Sequence, residues 1–175
     1  PPIGIDRMHP TMLAMTFVLV YTEEAVHLPK PGVEPMDVYF LEEGRRRGKT
    51  ISTFESIEDQ MEFLFNYAPM PEVVEHLVLI VKEKEEVKNL QPEMLEAYEK
   101  GDLDALLKGT EKYMGKYGSM DVLLDQRNAN WMKILPDMMK KESQFVAVGA
   151  LHLASEVGLV HQLRELGYTV EQVDK

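Results

Sequence analysis

The sequence predicts an α/β fold, in which a small, mostly parallel sheet carries a C-terminal βαβ unit and a large helical insert. Three observations lead there. Residues 144–149 (Gln-Phe-Val-Ala-Val-Gly) form a near-continuous apolar run of strand length, the pattern of a strand buried on both faces. Leu159, Val160, Leu163 and Leu166 then mark a helix ended by Gly167, and residues 168–173 read as a last strand. A strand, helix, strand order calls for parallel strands joined by a right-handed crossover. Finally, residues 71–118 show only helical patterning, the signature of an insert.

Element by element, a helix is expected from Pro10 to about Val26, with Met12, Met15, Val18 and Leu19 as its apolar face, stopping at the proline-bearing loop His27 to Gly32. A second helix should run from about Pro35 to Arg47. Its basic last turn, Arg45 to Arg47, complements the helix dipole, and Gly48 is its stop. Residues 49–54 are β-branched and bounded by glycine and a helix start, which predicts a strand. Ser56-Ile57-Glu58-Asp59 resembles a capping box opening the next helix, so Glu55 falls at a strand-to-helix turn. Within the insert, helices are expected from Pro71, from Pro92 and from Gly101-Asp102, and the alternating charges of residues 82–86 form a solvated face. A helix over residues 119–141 is kinked or divided by Pro136.

The chain has 175 residues, enough for one domain with a sizeable core. Its net charge of −11 disfavours nucleic acid and anionic membrane surfaces. With no cysteine, disulfides, thiolate metal sites and a cysteine nucleophile are excluded. The longest apolar run, residues 11–21, falls short of the roughly 20 residues that span a bilayer. No Gly-x-Ser-x-Gly turn and no glycine-rich phosphate loop occurs, and the twelve methionines are scattered as core filling.

Ligands of parallel sheets bind beyond the carboxyl ends of the strands. The strand at 145–148 would deliver Gly149 and His152 to that edge, with Gly149 leaving room for a ligand or a second backbone. The His152 imidazole could bind a metal or move a proton, or it could be a loop histidine paired with Glu156 or a carbonyl. Glu55 could share the edge as ligand or general base, or serve the helix N-terminus; Asp37 carries the same ambiguity. Arg127 could hold a carboxylate or a developing oxyanion, or pair with Asp121 or Asp125. Asn128 could cap a turn or position a neighbour. His76 reads as a helix-surface residue, and His161 as the partner of Glu165.

Phe145-Val-Ala-Val-Gly-Ala-Leu-His-Leu153 and Gly158-Leu-Val-His-Gln-Leu-Arg-Glu-Leu-Gly-Tyr-Thr-Val170 together resemble the C-terminal signature of the TraB/GumN family, which takes in the Tiki proteases. Leu124-Asp-Gln-Arg-Asn-Ala-Asn-Trp-Met132 is similar to the family's Arg-Asn segment, Gly48-Lys-Thr-Ile-Ser-Thr-Phe-Glu55 with Gln60 to its Gly-Lys and Leu-Glu segment, and Asp37-Val-Tyr-Phe40, more weakly, to its Asp-x-Tyr segment. The resemblance implies a hydrolytic site with two GxxH motifs, a glutamate, an arginine and a divalent metal (Mn, Zn or Co), with proteolysis described for the Tiki branch. His152 matches the second GxxH and Arg127 the arginine. The family's first GxxH motif is expected upstream of an N-terminally truncated chain, which alone should be inactive. A peptide or small-molecule substrate and export from a bacterial cell, to the periplasm or surface, are further implications, and a homo-oligomer is left open. The competing class is a non-catalytic protein binding a peptide or small ligand in the same pocket.

Overall fold

The computed structural model describes residues 4–26, 32, 34–114 and 120–173. Residues 27–31 of the loop expected at 27–32, and residues 118–119, where the expected insert ends and the next expected helix begins, lie outside the described residues. The helices are α1 (Pro10–Ala25), α2 (Met36–Arg46), α3 (Ile57–Phe65), α4 (Met70–Lys82), α5 (Lys84–Lys100), α6 (Leu103–Met114), α7 (Gln126–Trp131), α8 (Leu135–Lys141) and α9 (Leu159–Glu165). A π-helical turn, Asp121–Asp125, leads into α7, and 3-10 turns occupy Ile5–Arg7 and Ala150–Leu153.

The expected sheet does not form: the fold is all-α, with no strand among the described residues. Residues 49–54, 145–148 and 168–173, the three expected strands, have no regular secondary structure and exchange no ladder hydrogen bonds with one another. Several of their apolar side chains stay in the open, with Phe145 73% and Val173 90% exposed. The physical reason is that β-branched and apolar runs favour an extended backbone, whereas a sheet also needs a partner strand for each amide and carbonyl. With no parallel pair there is no βαβ unit.

Nor do α4, α5 and α6 interrupt a sheet; with α1 they are the main helical layer. α1 packs on α4 and α5, and α5 packs on α6. Ala14 and Tyr21 of α1 meet Ile80 of α4 and Val87 of α5, flanked by Phe17, Val18 and Leu77. The face of α1 differs from the expected one, since Met12, Met15 and Leu19 are 41%, 51% and 55% exposed. This helix is apolar on all sides, so period alone does not select its buried face; small Thr11 and Ala14 let the neighbouring helices approach.

The local signals hold in part. The capping box of α3 is present, with Ser56 Oγ accepting from Asp59 N–H at 3.0 Å and Asp59 Oδ2 accepting from Ser56 N–H at 3.1 Å. Pro92 does not start a helix: α5 begins at Lys84, in the charge run, and passes through it. Gly101 ends α5 at φ +67°, a left-handed position that favours glycine. Pro136 stands in the first turn of α8, dividing the expected 119–141 helix. His76 is buried, with the Tyr67 hydroxyl 3.2 Å from its Nδ1, rather than on the surface.

Candidate functional site

Glu55 and Arg127 are 72 residues apart in sequence and meet because α3 packs on the turn that precedes α7. Ser56 and Asp59 already satisfy the N-terminus of α3, which leaves the Glu55 carboxylate free to point elsewhere. It accepts from Arg127 Nη2 at 2.6 Å and Nε at 3.1 Å, a two-pronged pair with both side chains only 13% exposed. Trp131, one turn further along α7, donates from Nε1 to Glu55 Oε2 at 3.3 Å. Arg127 Nη1 donates to the Leu123 carbonyl at 3.2 Å. A guanidinium has five N–H donors, so each Nη retains a second hydrogen.

Trp131 organises the rest. Phe54 stacks on its indole at a centroid distance of 5.3 Å, the Arg127 guanidinium lies 5.0 Å from its ring centre, and the His152 imidazole lies at 4.3 Å, tilted by 40°. His152 is held by a 3-10 turn, not by the end of a strand, and is 6% exposed. Its Nδ1 is 2.8 Å from Asn128 Oδ1, and Asn128 Nδ2 donates to the carbonyls of His152 (3.3 Å) and Val157 (3.0 Å). The partner of His152 is therefore Asn128, and neither Asp121 nor Asp125 takes the place of Glu55 beside Arg127. Burial, then the nearby Arg127 charge, push the His152 pKa down to about 4 against an opposing pull from Glu55, so its ring is neutral at pH 7.

The turn after His152 depends on Gly158. A Cβ there would stand 2.0 Å from the Ala154 carbonyl oxygen, so no larger residue fits without moving the backbone. Gly149 is less constrained: a Cβ would meet only His152 Cδ2, at an ordinary 3.7 Å. Sequence reasoning passed over Gly158 and Trp131. The signals were there in outline, a glycine before an apolar helix start and the single tryptophan of the chain, four residues after Arg127.

His152, Arg127, Glu55, Gly149 and Asp37 all line one open cavity of about 1300 Å³. Asn128 supports it from behind, 1% exposed. Asp37 reaches the cavity from the exposed first turn of α2. Apolar Phe40, Phe145 and Val170 line other parts of the wall, so both apolar and charged groups of a ligand could be met.

The divalent metal implied by the resemblance does not fit these residues alone. Among the described residues no group of three or more His, Asp or Glu stands together in a way that could hold a metal ion. His152 offers one donor nitrogen, and Glu55 is already engaged by Arg127 and Trp131, whereas a catalytic metal takes about three protein ligands. Among the described residues, no helix is long and apolar enough to cross a membrane.

Compared with known proteins, the chain matches the model of the TraB/PrgY/gumN family over residues 1–172. No curated protein and no solved structure matches it. The match spans almost the whole length, including the segments that carry Glu55, Arg127 and His152, and on that ground the chain belongs to the TraB/PrgY/gumN family.

Proposed function

We propose that this chain contributes part of a hydrolytic centre, of peptidase type, in which His152 supplies an uncharged nitrogen and Arg127 supplies positive charge. The observation that carries this reading is the convergence of His152 and the Glu55-held Arg127 on one cavity. A neutral imidazole offers a lone pair to a water proton or to an electrophile. Its depressed pKa makes it a weak base, better suited to donating a lone pair than to carrying a proton away. The spare Nη hydrogens of Arg127 can meet a substrate carboxylate or the oxyanion of a tetrahedral intermediate. Glu55 fixes the plane of the guanidinium and keeps its charge in place in a weakly solvated position. A manganese, zinc or cobalt ion would take His152 as one ligand, with its other ligands coming from outside the set described above.

A second reading is a binding protein that recognises a peptide or small ligand in the same cavity without turning it over. It is favoured by the engagement of Glu55, which leaves His152 without a second metal-binding partner among the described residues.

The metal content of the protein separates the two. Equilibrated with manganese, zinc and cobalt and then desalted, wild type should retain about one ion per chain and His152→Ala far less, the behaviour of a site built from few ligands. A wild type that holds no metal, or a variant that holds as much, removes the hydrolytic reading and leaves the binding one.

A further inference from the structure

We infer that Asn128 is a positioning residue, which fixes His152 as its Nδ1–H tautomer and thereby presents an unprotonated Nε2 to the cavity. Which atoms can only accept determines the assignment. The carbonyl oxygens of His152 and Val157 carry no proton, so the Asn128 atom facing both, at 3.3 and 3.0 Å, is the amide nitrogen. The amide oxygen is then the atom 2.8 Å from His152 Nδ1. That oxygen also carries no proton, which places the shared hydrogen on Nδ1. A neutral imidazole has a single N–H, and the lone pair therefore sits on Nε2.

The surroundings keep this arrangement in place. Asn128 is 1% exposed and its side chain spans from α7 to the turn bearing His152, so rotating the amide would leave buried donors and acceptors unmatched. Trp131 covers one face of the imidazole, and His152 lines the cavity, where no acceptor or donor among the described residues stands against Nε2 in a hydrogen bond. Partners of this kind, fixing the second nitrogen of a working histidine, typically change its performance by about 10–100-fold. The inference rests on His152 being the working residue proposed above, but it is read out without any assay of activity or metal.

The test is a long-range proton–nitrogen correlation spectrum of the imidazoles in the ¹⁵N-labelled full chain at neutral pH, with His152 assigned by the resonances missing from His152→Gln. The wild type should show Nδ1 protonated and Nε2 bare. In Asn128→Ala and Asn128→Leu the ratio of the Nδ1–H to the Nε2–H form should fall by about five-fold, the worth of one ordinary hydrogen bond. A wild type protonated on Nε2 overturns the inference, and so do variants that keep the wild-type tautomer, since Asn128 would then only join α7 to the turn. If neither variant folds, the wild-type spectrum decides alone. The expected tautomer together with a metal content unaffected by His152→Ala would sink the hydrolytic reading and leave this inference standing.

Discussion

Replacing Glu55 by glutamine removes the charge that faces Arg127 while leaving an oxygen for the Trp131 N–H. The pair is short, 2.6 and 3.1 Å, and each side chain is 13% exposed, so water replaces the lost partner only in part. At an effective dielectric of about 20, unit charges about 4 Å apart attract by about 4 kcal/mol, and removing one partner of a buried pair costs about 3–5 kcal/mol. Residual exposure and the retained acceptor bring the expected loss for Glu55→Gln to about 2–3 kcal/mol. Arg127→Met, which leaves the carboxylate behind, should cost a similar amount. The double variant should cost less than the sum of the two by at least about 1 kcal/mol, since neither charge is then stranded. Urea unfolding followed by tryptophan fluorescence reads this directly, because Trp131 is the only tryptophan and touches both residues. Losses below about 1 kcal/mol in both single variants, with additive behaviour in the double, would refute a buried, mutually dependent pair.

Two further perturbations test other parts of the molecule. Acid should weaken the fold through His152: its native pKa of about 4 lies below the ordinary 6.5, so the unfolded chain binds the extra proton first and stability falls as pH drops from 6.5 towards 4. The slope is up to about 1.4 kcal/mol per pH unit, with a total of roughly 3 kcal/mol. Buried His76 adds to it in the same direction. Urea midpoints between pH 7 and 5 should therefore decline less in His152→Gln than in wild type, and parallel curves would rule the effect out. In the helical layer, Ile80→Ala should cost about 3–4 kcal/mol in urea unfolding, because the side chain is 2% exposed, whereas Met15→Ala, 51% exposed, should cost under about 0.5 kcal/mol. Similar losses for the two would mean that α1 packs through the face expected from sequence.

The helices were largely legible, because caps, glycine stops and proline breaks act within a few residues of the positions they govern. The Ser56 box, the Gly167 stop and the division at Pro136 are of this kind. What misled was non-local. An extended run such as 145–148 announces its backbone conformation, but its hydrogen-bonding partner is set by residues far away, and no such pairing is made among the described residues. The site divides along the same line. His152, Arg127 and Glu55 could be singled out from spacing and resemblance, whereas the use of Glu55 by Arg127 and of Asn128 by His152 depends on how α3, α7 and the 150–153 turn pack. Trp131, which touches three of these four residues, carries no local signal of that role in the sequence.

The open segment at 145–148 also bears on how the chain behaves at high concentration. Phe-Val-Ala-Val carries no charge and no proline, and its amides and carbonyls lack backbone partners among the described residues, which is what a strand from another molecule needs in order to add on. Lys140, Lys141 and Glu142 stand just before it as gatekeepers, and the net charge of −11 keeps molecules apart. That repulsion reaches about 10 Å at 0.1 M salt and about 3 Å at 1 M. Low ionic strength therefore preserves the dispersed protein, and salting out would favour cross-strand association through this one apolar run.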